Sequence, residues 1–288
     1  MAINSTACAY YENDSCKETL YEHTLRILDV WDKCVARYYL RALTRVLGDK
    51  ARLLMDIALL MHDTGKLVSA YAEPRYRRFY RHEIVSAYYT YKMLKSLNIA
   101  SNKLVSNEYE YIIPLTVLLH HEPGILGKYA GEIGERYVTF STIKAMLEDI
   151  PSDKLKPIRD STFERLICDR IGQHNTNVNN CMSSLDQVLS SINHANIEST
   201  LKNLLAKALH SDVSRRFVMR TKVAAVLHPL VLSDSLAAYL GRKDSGTWIV
   251  RRALGMSLGP HAEPKTIVNC IMNFTNHATD ISRKLNTL

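Results

Sequence analysis

The sequence predicts an all-α fold, and three observations carry that expectation. Glycine and proline are sparse, 11 and 8 in 288 residues, so few positions interrupt a helix. Apolar residues recur at three- and four-residue spacing over long stretches, the period of one helix face. A composition of 47% apolar and 23% charged residues belongs to a globular chain able to bury a sizeable core.

Residues 1–16 are polar and read as loosely held. A helix is expected from about Lys17 to Leu47, ended by Gly48, with Leu20, His23, Ile27, Trp31, Cys34 and Tyr38 as its buried stripe. His23 stands where a leucine would normally go. Its ordinary reading is a hydrogen-bonded core histidine, until partners appear elsewhere. The stretch LLMDIALLMHDTGK gives a second, more apolar helix closing on His62-Asp63. Buried charge is costly unless paired or bound to metal, so this doublet is the first candidate site. Gly65 suits a helix end with left-handed backbone.

The segment YAEPRYRRFYRHE interleaves Arg75, Arg77, Arg78 and Arg81 with Tyr71, Tyr76, Phe79 and Tyr80. Guanidinium groups contact phosphates and aromatic faces stack single-strand bases, so it is the candidate nucleic-acid surface. A solvated loop packed by its tyrosines is the plainer alternative. A helix opening on His82 and Glu83 follows, then another that ends in His120-His121 before Pro123-Gly124. Helices are expected near 142–150, 160–170, 182–192 and 197–211, where Asp160 and Asp169 could compete for a ligand role. The run Val223–Leu240 reads as a central helix kinked at Pro229, with Asp234 on the stripe Ala224, Leu227, Val231, Asp234, Ala238. An unpaired carboxylate there would stay protonated or need a cation. His228 is a weaker candidate, and 245–288 suggest closing amphipathic helices.

The six cysteines form no C-x-x-C pair and read as reduced thiols of a cytosolic protein. No secretory signal is expected, and no uninterrupted apolar stretch reaches membrane-span length. A net charge of +8 is compatible with a polyanionic partner.

The ionisable residues that interrupt apolar stripes are His23, His62, Asp63, His82, His120, His121 and Asp234, in the order H…HD…H…HH…D on five helices. Bundles build metal sites from side chains on facing helices. This order resembles the HD superfamily of metal-dependent phosphohydrolases. HDTGK, then Phe79, Arg81-His82-Glu83 and Ser86, then the HH pair and the late D-S-L-A-A, resemble the stand-alone HD nuclease of type I CRISPR systems in its archaeal split form. The resemblance implies an HD-domain helical bundle with additional helices: a core of 17–124 and 212–242, a helical insertion at 125–211 and C-terminal helices at 243–288.

It also implies two divalent ions (Mn, Mg, Co, Ni or Fe) about 3.5–4 Å apart. His23, His62, Asp63 and Asp234 would hold the first, and His82, His120 and His121 the second, with Asp63 bridging. Asp63 and Lys66 would be the catalytic groups, Lys66 neutralising the scissile phosphate. The implied substrate is DNA, preferably single-stranded. The implied partners are a separate helicase subunit and the RNA-guided surveillance complex, in the cytoplasm and with no membrane. No phosphate-loop motif occurs, so no helicase is expected on this chain. Rival readings are an HD nucleotide phosphohydrolase and a non-catalytic docking subunit.

Overall fold

The computed structural model describes residues 6–77, 81–100, 104–121, 144–145, 147–208 and 212–242. The chain opens on an antiparallel hairpin, β1 (Cys8–Glu12) and β2 (Ser15–Thr19). Its two-residue turn, Asn13-Asp14, has φ of 49° and 61°, the mirror-image turn that matches strand twist. The loose N-terminus expected from composition is therefore corrected for residues 6–16. Ala7, Cys8 and Ala9 are buried, and the Ala7 N–H donates to Asp160 at 2.8 Å. Strands this short carry no helical period; the turn pair was the only signal.

Helix α1 (Leu20–Val30) starts three residues later than expected, because Thr19 and Glu22 form a reciprocal capping box. A five-residue π turn, Trp31–Val35, joins it to α2 (Ala36–Leu47). The extra residue in that turn rotates the stripe. Leu20, His23, Ile27, Trp31 and Cys34 are buried as expected, whereas Tyr38 is 41% exposed and Leu43 and Leu47 take over. Gly48 ends α2 at φ +75°.

Helix α3 (Ala51–Met61) is the centre of the molecule, buried from Leu53 to Met61. It is followed by a 3-10 turn, Thr64–Leu67, and the short helices α4 (Ser69–Ala72) and α5 (Pro74–Arg77). Gly65 lies in the turn without positive φ, so its expected left-handed role is corrected. A Cβ there would collide with the backbone carbonyl of His82 and come 2.9 Å from Ser86 Oγ. Glycine lets the turn sit against the start of α6 (His82–Ala100), and the Gly65 N–H donates to Ser86 Oγ at 2.7 Å.

Helix α7 (Tyr109–Leu119) packs on α6 and α3. The stretch expected as an insertion supplies α8 (Ser161–Gly172), α9 (Val178–Ser190) and α10 (His194–Ala208). These are core elements: α8 packs on α3, α9 on α6, and α10 on α6 and α7. The long α11 (Val213–Arg242) passes through Pro229 and packs on α1, α2, α3 and α7. By length and composition it could cross a bilayer; here its apolar side faces these helices.

The cysteine expectation is overturned. Cys8 is bridged to Cys16 across the hairpin, and Cys168 to Cys181 between α8 and α9. No described cysteine is a free thiol. The fold of the hairpin, whose register opposes Cys8 to Thr19 and Cys16 to Tyr11, and the α8–α9 turn bring these cysteines together, and neither shows in cysteine spacing.

Candidate metal centre

Five helices deliver the site, each from an end or an edge. α1 places His23, the C-terminus of α3 places His62 and Asp63, the first residue of α6 is His82, the end of α7 gives His120 and His121, and α11 gives Asp234. All seven expected residues meet around Asp63. Its Oδ2 lies 3.7 Å from His23 Nε2 and 3.6 Å from His62 Nε2. Its Oδ1 lies 3.0 Å from His82 Nε2, out of line for a hydrogen bond, and 3.9 Å from His120 Nε2. Asp234 Oδ1 sits 3.0 Å from His23 Nε2 and 3.9 Å from His62 Nε2. His121 and His82 bring their Nε2 atoms within 2.9 Å of each other.

The ligand atoms of Asp63, His82, His120 and His121 lie within 4.8 Å of one another, as do those of His23, His62 and Asp63. Asp63 belongs to both groups. His62 Nε2, His120 Nε2 and Asp63 Oδ1 are buried without a hydrogen-bond partner among the described residues. Such orphans are costly. Lone pairs converging with too few protons between them fit a divalent cation.

Local backbone explains the aim of the rings. The last carbonyls of a helix lack intrahelical donors, so His62 Nδ1 donates to Leu59 O at 2.8 Å and His120 Nδ1 to Val117 O at 2.6 Å. Holding the proton on Nδ1 leaves the Nε2 lone pair facing inward. His23 is oriented by a carboxylate instead: its Nδ1 lies 3.2 Å from Glu18 Oε1.

Burial pushes the His62 imidazole below its ordinary range and His120 well below. Burial, with Lys66 nearby, takes His82 to about 4. All three are neutral donors at pH 7. For His23 burial is outweighed by hydrogen bonds to Asp234 and Glu18, and its pKa rises. Burial opposes ionisation of Asp63, but Lys66, His62 and His82 hold it well below the carboxylate range. Lys66 is buried and donates to Asp63 Oδ2 at 2.7 Å and Ala9 O at 3.2 Å. It is thus bonded to the central carboxylate and the hairpin.

Of the expected nucleic-acid arginines, Arg75 and Arg77 lie on α5 and Arg81 just before α6. Arg75 lies over the Tyr76 ring at 5.6 Å, Arg77 over Tyr11 at 3.7 Å, and Arg81 pairs with Glu83; Arg78 lies outside the described residues. The rival ligands fall elsewhere: Asp160 caps α8, Asp169 pairs with Arg165 on the surface, and His228 lies tilted against the Tyr39 ring. Glu18 was missed, since a carboxylate in a polar strand has no period to break. Its pKa falls to about 2, with burial opposing and His23 and Arg242 prevailing.

No family model matches the chain. A CRISPR-associated endonuclease Cas3-HD from Thermoproteus tenax is 36% identical over 146 residues, half of this chain and 57% of the relative. Proteins of the same name from Methanocaldococcus jannaschii and Pyrococcus furiosus are 28% and 26% identical over 75% and 80% of this chain, covering 84% and 92% of theirs. The chain is similar to proteins named Cas3-HD over half to four-fifths of its length. The solved Cas3 HD domain protein from Methanocaldococcus jannaschii, at 24% identity, superposes with a TM-score of 0.50 over 74% of this chain and 95% of its own. That match places the chain in the same helical fold. As in the sequence expectation, the described residues are mainly helical, with the hairpin as the exception.

Proposed function

We propose that this Cas3-HD relative is a metal-dependent phosphodiesterase that hydrolyses DNA, single-stranded by preference, in type I CRISPR interference. The carrying observation is the division of Asp63, one oxygen toward His23 and His62, the other toward His82 and His120. A carboxylate placed between two donor groups suits two cations. His23, His62, Asp63 and Asp234 would hold one, and Asp63, His82, His120 and His121 the other. Bound divalent ions supply an activated water and stabilise charge on the leaving oxygen of a phosphodiester. So imidazole-rich a set favours Mn, Co, Ni or Fe over Mg, which prefers oxygen.

The chain's own groups prepare that chemistry. Burial keeps three imidazoles unprotonated, and Lys66 keeps Asp63 ionised. Asp234 is 19% exposed and His121 is exposed, so the site opens on their side while His62 and Asp63 stay covered. Lys66 spends two of its three N–H groups on Asp63 and Ala9 O, and the third would answer phosphate charge. A separate helicase subunit and the RNA-guided surveillance complex are the partners this reading implies, in the cytoplasm.

The test offers the chelator-stripped, manganese-loaded protein circular single-stranded DNA beside deoxynucleotides and cyclic nucleotides. The expected result is a cut circle, with Asp63→Ala and His62→Ala reduced to background. Mononucleotide hydrolysis with an intact circle would move the assignment to the nucleotide phosphohydrolases. Undiminished CRISPR function in both variants would make the chain a docking subunit.

A further inference from the structure

We infer that Tyr11, with Arg77 laid on its ring, is a stacking platform for unpaired bases of a single-stranded nucleic acid on its way to the metal centre; this rests on the nuclease reading. Tyr11 stands on β1 just before the hairpin turn and is half-buried. The Arg77 guanidinium lies 3.7 Å from its ring centroid. Tyr11 meets Tyr71 edge-on at 5.9 Å, and Tyr71 meets His82 edge-on at 5.9 Å. Tyr71 is fixed by its hydroxyl donating to Ala9 O at 2.8 Å, with Lys66 Nζ 5.5 Å from its centroid. A continuous line of rings and cations therefore runs from the hairpin to a candidate ligand.

The fold gives Arg77 little other employment. Its Nε–H finds no acceptor among the described residues, and Nη2 reaches Asp14 at 3.2 Å. That carboxylate is 67% exposed and the Arg77 side chain 16%, so Asp14 holds Arg77 from the solvent side, where such a pair contributes little. A phosphate oxygen can replace it. The alternation of ring face and guanidinium is the chemistry of a single strand, whose bases stack while its phosphates seek cations. An acidic peptide would use the guanidinium but not the ring.

Recession of the centre argues for the same substrate. His62, Asp63 and His120 are at most 3% exposed, so the bond to be cut must be carried inward. A bendable strand can do this, whereas a duplex is stiff over about 150 base pairs.

The full chain, kept in chelator to prevent cleavage, is titrated against a fluorescent oligothymidylate and read by anisotropy. Tyr11→Leu and Arg77→Met are each expected to weaken binding about ten-fold. Asp14→Asn, a surface change that releases Arg77, is expected to tighten it about two- to three-fold. In Asp14→Asn and Tyr11→Leu, manganese-dependent hydrolysis of bis(p-nitrophenyl) phosphate, too small to reach the platform, should stay within about two-fold of wild type. Unchanged oligonucleotide affinity in Tyr11→Leu, or no tightening in Asp14→Asn, overturns the platform. Loss on Arg77→Met alone reduces it to a phosphate contact and overturns stacking. Binding is read without metal, so a wild type that hydrolyses neither substrate sinks the nuclease reading and leaves this result to decide the platform.

Discussion

Glu18 shapes the centre without reaching its middle. Its Oε1 accepts from His23 and from Arg26, and its Oε2 from Arg242 at 2.9 Å. Two guanidinium groups thus hold the carboxylate that orients the first histidine. Gly241 permits this packing, since a Cβ there would stand 2.8 Å from Glu18 Oε1. Partners of this kind tune a ligand's basicity and direction, and losing one typically costs ten- to a hundred-fold in metal affinity. Glu18→Ala is expected to weaken manganese binding by about that factor in calorimetry. Glu18→Gln, whose amide oxygen still accepts from Nδ1, should recover part of it. Equal affinity in all three proteins would leave Glu18 a structural clamp.

At the scale of elements, the centre depends on how closely the Thr64–Leu67 turn and α6 approach. His82 and the His62-Asp63 doublet face each other because Gly65 has no side chain to hold them apart. Gly65→Ala should force the start of α6 away, costing about 1–3 kcal/mol as overpacking does. Urea unfolding reads that loss, and a fall in manganese affinity should accompany it. An alanine variant with wild-type midpoint and affinity would show the approach to be slack. On the far side α8 grips α3: buried Asp56 accepts from Arg170 Nε and Nη2, both at 2.9 Å, and lies 2.8 Å from His174. That network anchors the helix carrying the doublet. Asp56 stands in the middle of α3, and its partners Arg170 and His174 are remote in sequence, so spacing alone does not reveal the network.

The whole molecule couples its stability to pH through the same imidazoles. His62, His82 and His120 have folded pKa values below the unfolded value near 6.5. Between that value and about 4, where His82 titrates, the unfolded chain binds more protons than the folded one. Stability is then present above about pH 6.5 and lost as pH falls. Glu18, lowered to about 2, adds a loss in the same direction below its ordinary range. His23, raised, works the opposite way: its contribution is present at low pH and fades as pH rises through its folded pKa. Three against one, the metal-free protein should have a lower urea midpoint at pH 5 than at pH 7. A flat profile would mean that the buried rings are not held neutral.

Periodicity announced the helices and most of the polar residues that break their apolar stripes, because an imidazole or carboxylate on such a stripe stands out among leucines. Hence His23, His62, Asp63, the histidine pair and Asp234 could be named from their order along the chain. What needed coordinates was everything set by contact across distance. The π turn that sends Tyr38 outward, the hairpin that brings Glu18 to His23 and Tyr11 to Tyr71, the disulfides, and the facing of each Asp63 oxygen all arise between segments remote in sequence. A repeat records which side of a helix is buried; only packing decides what it is buried against.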